Sequence, residues 1–202
     1  MDAWDTSLDH DARYDLTEEW TQIVKRLWTE PSVTFKGRHF DFTDCVSEPK
    51  PLHPPFLICA GQSKRGFEFS VREADGCFIG GRNEAEIREA SLRAKTLAKD
   101  LGKTIRTYCM MTVIAAPTDA EAEARAQKYK DGLDEGAVLG MLQSYGVEGN
   151  AMTARAQGAF MTQTAIGAPA TCAAKIEAFL RDCEIDGLMF IFDDYAEGLR
   201  VT

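Results

Sequence analysis

The sequence has little positive charge for its length. Its 202 residues include 23 Lys and Arg against 32 Asp and Glu, a formal net charge of -9 at pH 7, and its pI is near 4.9. Nucleic acids and anionic membrane surfaces bind clustered basic residues, so we expect neither as a partner. Small molecules and other proteins remain. A hydrophobic content of 45% excludes disorder as a description of the whole chain.

Long hydrophobic runs are also missing. The longest apolar stretches cover residues 109–116, broken only by Thr112, and residues 188–192, whereas a membrane helix needs roughly 20 residues. The first residues, Met1 to Asp5, lack the basic region and the apolar run of a signal peptide. We therefore predict a soluble, cytoplasmic protein.

Metal-binding and nucleotide-binding motifs are absent as well. The cysteines form no C-x-x-C pair and the three histidines lie far apart, so we predict no metal site and no Ser/His/Asp triad. Neither a G-x-G-x-x-G nor a P-loop sequence is present, which disfavours nicotinamide dinucleotides and nucleoside triphosphates as tightly bound ligands. Cysteines inside apolar runs are predicted to be buried, inert thiols in a reducing compartment: Cys59, Cys77 and Cys109.

Helical and strand patterns alternate along the chain. Apolar residues at steps of three and four predict a helix from about Ala12 to Glu30. A short hairpin that turns at Gly37 and a proline-rich connector over 48–55 follow it. The remaining pattern predicts strands at 56–60, 77–79, 104–115 and 187–192, helices at 63–74, 84–101, 134–145 and 169–183, a long helix capped by Asp119, and a loop at 146–158.

The predicted fold class is α/β. Strands that are apolar on both faces and alternate with helices are typical of a parallel sheet covered by helices, and we predict one domain over residues 1–202. Only about four parallel strands are predicted, and the chain opens on a helix. Two architectures therefore remain, an open doubly wound sheet and an incomplete (β/α)8 barrel, whose complete form has roughly 250 residues.

The segment from Cys59 to Gly66 joins a predicted buried strand to a helix. Gly61 allows a tight turn, and the free N–H groups at the helix start, with the Ser63 hydroxyl, form an anion site that suits a phosphate. The alternative is that Ser63 only caps the helix, as serine often does.

Two further pairs of residues are candidates for a site. Arg13 and Tyr14 begin the first helix, where a guanidinium beside a phenol could serve a phosphate; the alternative is an exposed arginine and a core-facing tyrosine. Asp193 and Asp194 follow the last strand on the side where α/β proteins place their sites, although helix capping is the expected role of either one.

Several segments together resemble the bacterial luciferase-like flavin monooxygenases, and within that superfamily the pyrimidine monooxygenases that open the uracil ring. The resemblance covers nearly the whole chain and is most specific from Arg13 to Asp75. The segments that carry it are Arg13 to Trp20, Leu27-Trp28, Phe35-Lys36-Gly37, Phe40, Asp44-Cys45, Pro49-Lys50-Pro51, Cys59 to Ser63, Arg72 to Asp75, Val113-Ile114-Ala115, Thr118-Asp119, Tyr129-Lys130-Asp131, Phe192 to Tyr195 and Gly198-Leu199.

This resemblance implies a (β/α)8 barrel of the TIM-barrel type, incomplete here, that binds reduced FMN and uses O2 to oxygenate a small pyrimidine substrate. It implies that a separate NAD(P)H-dependent flavin reductase supplies the reduced cofactor. It also implies that Arg13, Tyr14 and Ser63 contact FMN at its phosphate end. No catalytic residue is assigned by it.

The family also uses an Asn and a Glu from earlier strands, which would precede Met1. The resemblance therefore predicts the C-terminal part of such an enzyme, with the N-terminal part missing and the isolated chain inactive. Open sheet edges would then favour self-association as a homo-oligomer. The alternatives are the same flavin chemistry on an organosulfur compound or a halogenated aromatic, and a non-catalytic half barrel.

Overall fold

The computed structural model describes residues 9–144 and 162–196. The chain divides into two compact units, one made of residues 1–78 with 94–106 and the other of residues 79–93 with 107–202. Within the described ranges, no helix combines the length and the apolar character that crossing a bilayer requires. Whether the chain acts as one domain over 1–202 stays a prediction.

The first unit begins with a long helix and a hairpin. Strands β1 and β2 pair antiparallel, with Lys36 opposite Asp41 beside the turn. Two short strands, β3 and β4, then pair in parallel around helix α2. The elements are α1 (His10–Thr29), β1 (Val33–Lys36), β2 (Asp41–Cys45), β3 (Ile58–Cys59), α2 (Lys64–Glu73), β4 (Gly76–Phe78) and the later part of α3 (Glu84–Asp100).

The second unit is built around one long strand. Strand β5 pairs in parallel with β6 along one stretch and with β7 along another, and most of its middle residues are buried because the strand is apolar on both faces. Helices α4 and α6 both pack on β6. The elements are the first part of α3, β5 (Arg106–Ala115), α4 (Asp119–Asp131), α5 (Glu135–Ser144), β6 (Gln163–Gly167), α6 (Pro169–Cys183) and β7 (Gly187–Phe192).

The amino ends of β5 and β7 are joined by a buried polar cluster. Asp186 accepts hydrogen bonds from the backbone N and the hydroxyl of Thr107, at 2.8 and 3.0 Å. The Thr107 hydroxyl also lies 2.9 Å from that of Ser91, and both hydroxyl-bearing residues are fully buried. Every polar group is paired, so this cluster fixes the register of the two strands.

The predicted α/β class is confirmed, with several changes of detail. The strand predicted at 56–60 is shorter, the strand at 163–167 was not predicted, and the predicted loop over 146–158 lies outside the described residues. The predicted cap at Asp119 is wrong: Thr118 caps α4, and its hydroxyl and the Glu121 carboxylate bond each other's backbone N–H groups in a capping box.

The hairpin is fastened to α1 by one carboxylate. Glu19 accepts hydrogen bonds from the backbone N–H groups of Arg38, His39 and Phe40, at 2.8, 2.9 and 3.2 Å. A Cβ atom on Gly37 would lie 2.6 Å from Cδ of Glu19, so only glycine leaves room for the carboxylate at this turn. Burial raises the pKa of Glu19, but these three bonds and the charge of His39 outweigh it and lower the pKa below its ordinary value.

We predict that Glu19→Gln lowers the free energy of unfolding at pH 7 by about 1–2 kcal/mol, because an amide replaces an ionised acceptor. A lowered pKa in the folded state means that this stabilisation is present above the unfolded pKa, about 4.3 for glutamate. It is lost as pH falls through the folded value. Urea unfolding of both proteins between pH 7 and pH 3 should therefore show the difference shrinking with acidification.

The matched control is Glu123→Gln, at an exposed position on α4, which should leave stability nearly unchanged. A difference for Glu19→Gln that stays constant across this pH range would contradict the role of the charged carboxylate.

Candidate functional site

The turn from β3 to α2 brings two pieces of backbone into direct contact. A Cβ atom on Gly61 would overlap the backbone of Gly66, lying 2.7 Å from its Cα. The Gly61 N–H donates to Ser70 Oγ at 3.2 Å, and that hydroxyl donates to the Gly66 carbonyl at 2.7 Å. Glycine is therefore needed at both positions, because the backbone of the β3–α2 turn packs directly against the first helical turn of α2.

Ser63 begins helix α2, and both roles that the sequence suggested meet at its side chain. Its Oγ accepts a hydrogen bond from the Gly66 N–H at 3.1 Å, so the predicted capping is confirmed. Ser63 is exposed, which leaves the hydroxyl able to donate to a ligand. The backbone N–H groups of Lys64 and Arg65 lie in the helix turn that starts at Ser63. They have no acceptor within the helix, as is usual for a first turn.

Tyr14 reaches this turn from helix α1. Its ring packs at a tilt of 58° against Phe69 of α2, with 5.6 Å between ring centroids. Its hydroxyl lies over the Cα of Gly66, where an added Cβ would come within 2.9 Å of Cζ of Tyr14. The structure therefore brings Tyr14 and Ser63 to the same residue, Gly66.

Arg13 is not brought to Ser63 by any contact. Its side chain is exposed, and over the described part of the chain its guanidinium forms no ion pair or hydrogen bond. One position along a helix is a rotation of about 100°, so Arg13 and its neighbour Tyr14 leave α1 in different directions. The role of Arg13 stays a prediction.

Charged side chains that the sequence pattern does not predict form ion pairs between α1 and α2. Arg65 pairs with Asp15 and lies 3.7 Å from Glu18, while Arg72 bonds Glu18 at 2.6 Å and Glu73 at 3.0 Å. These guanidinium groups are already balanced by carboxylates. Acidic residues at spacings of three and four on α1, and arginines seven residues apart on α2, are the sequence features that could have indicated these pairs. The pairs border a cleft of about 570 Å³ lined by Asp11, Glu18, Ser63, Lys64, Arg65, Glu68 and Arg72.

The two aspartates after β7 have different roles. Asp194 accepts from the backbone N–H of Ala196 at 2.9 Å, which agrees with predicted capping. Asp193 instead accepts from Arg125 at 3.4 Å and from the Tyr129 hydroxyl at 3.1 Å. Burial, with this bond to Asp193, raises the pKa of Tyr129. Because Arg125 also bonds the carbonyl of Ala115, at 3.3 Å, it joins the carboxyl ends of β5 and β7.

All six cysteines are free, with Cys77 and Cys109 buried as predicted and Cys59 only half-buried. Burial raises the pKa of Cys59 and Cys109, and it raises that of Cys183 to about 11, which disfavours the reactive thiolate form. Within the described residues, no group of His, Cys, Asp and Glu side chains is arranged to hold a metal ion.

Comparisons with a family model and with individual known proteins indicate the same family. A family model described as luciferase-like monooxygenase matches residues 2–186. The chain is 32% identical over 200 residues to the pyrimidine monooxygenase RutA of Acinetobacter baylyi, covering 93% of this chain and 54% of that protein.

Solved structures agree on the fold. DmoA from Hyphomicrobium sulfonivorans is similar with a TM-score of 0.80 at 19% identity, over 97% of this chain and 55% of that one. A riboflavin lyase, RcaE, solved with modified FMN and riboflavin, gives 0.76 at 19% identity, over 92% and 54%. The chain thus spans about half the length of these relatives, and its fold is that of an incomplete (β/α)8 barrel instead of an open doubly wound sheet.

The contact between Tyr14 and Gly66 can be tested by a double-mutant cycle. We predict that Gly66→Ala lowers the free energy of unfolding by about 1–3 kcal/mol, because the new methyl group meets the Tyr14 hydroxyl. Tyr14→Phe removes that oxygen and should recover part of the loss in the double variant. Urea denaturation of the four proteins measures the coupling.

Gly140→Ala is the matched control, since a Cβ on Gly140 meets nothing within 4 Å. It should stabilise α5 by up to about 1 kcal/mol. Strictly additive effects of the Gly66 and Tyr14 substitutions would contradict the contact.

Proposed function

This chain belongs to the luciferase-like monooxygenase family, and we propose that it is part of an FMN-dependent monooxygenase that oxidises and opens a pyrimidine ring. The activity is that of a whole relative, of which this chain spans about half the length. Family membership supports the flavin chemistry. The geometry of the β3–α2 turn supports FMN as the flavin.

The observation that carries the proposal is the meeting of Ser63, Tyr14 and the first turn of α2 around Gly66. Hydroxyl and backbone N–H donors at a helix start bind a phosphate monoester, whose charge is favoured by the helix dipole. Glycine at positions 61 and 66 lets the β3–α2 turn and the Tyr14 hydroxyl come close to the first turn of the helix. The residues therefore fit the phosphate end of FMN, a group that riboflavin lacks.

In this proposal Ser63 and Tyr14 hold the phosphate, and Arg13 is the third residue. The guanidinium of Arg13 has no ion pair to break within the described residues, and its positive charge suits the phosphate dianion. Arg65 and Arg72 are less suited, because Asp15, Glu18 and Glu73 already neutralise them.

Bound reduced FMN would supply the electrons that activate O2, so that one oxygen atom enters the substrate. The protein's contribution is to hold and orient the cofactor and the substrate. A separate NAD(P)H-dependent flavin reductase is the proposed source of the reduced cofactor.

A pyrimidine is the proposed substrate because the curated relative at 32% identity is named a pyrimidine monooxygenase. The structural neighbours, at 19% identity, support only the fold. Flavin-dependent consumption of uracil by the whole protein, compared with that of an organosulfur compound, tests this choice. Turnover of the sulfur compound alone would overturn it.

We predict that Ser63→Ala weakens FMN binding by about tenfold to a hundredfold, because one hydrogen bond to a charged phosphate contributes about 1.5–3 kcal/mol. Riboflavin binding should hardly change, since riboflavin has no phosphate. Fluorescence titration with each flavin measures the two affinities, and thermal melting of the apo protein measures stability.

Thr118→Ala is the matched control, because it removes a helix cap of the same kind at α4. Each substitution should cost about 1 kcal/mol of stability, but only Ser63→Ala should change FMN affinity. Equal FMN affinity in Ser63→Ala and the unsubstituted chain, with a lowered melting temperature, would show that Ser63 is only a cap.

A further inference from the structure

Strand β3 has a short ladder with β4, which side-chain hydrogen bonds extend at both ends. Its ladder with β4 consists of two pairs, Ile58 with Gly76 and Cys59 with Cys77. At the amino end a side chain adds to the ladder: Asp75 accepts a hydrogen bond from the backbone N–H of Leu57 at 2.9 Å. The start of the strand is therefore fixed by a residue that lies just before β4.

At the carboxyl end the corresponding bond comes from Gln62. Its Nε2 donates to the backbone carbonyl of Phe78 at 3.0 Å. Phe78 lies one residue beyond the last ladder pair, Cys59 with Cys77. At this position the chain after β3 no longer pairs with β4 and leads into the turn at Gly61. The Gln62 side chain thus continues the connection to β4 after the backbone has left it.

This bond completes a turn that is fastened on two sides. On the helix side, the Gly61 N–H bonds Ser70, whose hydroxyl bonds the Gly66 carbonyl. On the sheet side, the described residues provide one side-chain bond, that of Gln62. Ser63 follows Gln62 directly, so the direction in which Ser63 leaves the turn depends on both attachments.

We propose that Gln62 is a positioning residue for the phosphate site, acting through its bond to the Phe78 carbonyl and not by contact with the ligand. The bond holds the turn against the end of β4 and so fixes where the Ser63 hydroxyl and the first N–H groups of α2 point. The inference rests on the proposed function for the identity of the ligand. A site preorganised in this way loses less entropy when the phosphate binds.

Two variants test the bond. Gln62→Met keeps the length of the side chain but removes the donor, and Gln62→Lys replaces it with another donor that can reach a carbonyl. Amide hydrogen exchange over residues 61–66 of the ligand-free chain reports on the turn itself. We expect faster exchange in Gln62→Met and a return toward the original rate in Gln62→Lys.

Flavin binding by the same chain then reports on the site. FMN affinity of Gln62→Met should fall about threefold to tenfold, the equivalent of one ordinary hydrogen bond, while riboflavin affinity stays constant. The matched control is Asp75→Ala, which removes the side-chain bond at the other end of β3. It should lower the melting temperature and leave the ratio of FMN to riboflavin affinity unchanged.

The outcomes separate the two proposals. Unaltered exchange at the turn in Gln62→Met, or faster exchange with unaltered FMN affinity, would overturn the positioning role. If the unsubstituted chain binds FMN no more tightly than riboflavin, the phosphate site itself is wrong, and Gln62 is then only a structural residue of the turn.

Discussion

The arrangement of the candidate site depends on the close approach of two backbone segments, at Gly61 and Gly66. A Cβ atom on Gly61 would overlap the backbone of Gly66, and a Cβ atom on Gly66 would overlap the Tyr14 side chain. The same lack of a side chain at Gly66 lets Tyr14 reach the first turn from α1. One steric constraint therefore decides whether the donors of the turn, the helix and α1 can meet at one point.

Helix α2 is held in place at both of its ends. Tyr14 and Arg65 near its amino end and Arg72 in its last turn connect it to α1. Such surface pairs contribute little individually, so the ring contact between Tyr14 and Phe69 matters more. At its carboxyl end, Lys25 bonds the Glu73 carbonyl at 2.6 Å and Lys103 bonds the Ala74 carbonyl at 2.6 Å. Cations at that end also favour the helix dipole.

Interactions between residues close together in the sequence could be predicted, whereas contacts between residues far apart in the sequence could not. Ser63 was identified because a cap and a strand-to-helix turn are local features, and the same is true of most helices. The Thr118 cap was readable in principle, since Thr118 and Glu121 have the spacing of a capping box. Other contacts join residues that are far apart in the sequence, and hydrophobic periodicity does not predict them. These contacts are the hydrogen bonds from the hairpin to Glu19, the bond from Gln62 to Phe78 and the ion pair of Asp193 with Arg125. The sequence pattern does not predict the strand at 163–167, because its five residues have mixed polarity. These residues form a strand by pairing with β5.

We propose that the first turn of α2 binds the phosphate of FMN. Nuclear magnetic resonance spectra of the ¹⁵N-labelled chain, titrated with FMN and separately with riboflavin, test it most directly. We expect the amide signals of Lys64, Arg65 and Gly66 to shift with FMN and not with riboflavin, while those at the start of α4 stay in place. Equal shifts with both flavins, or shifts with FMN that leave these three amides unchanged, would contradict it.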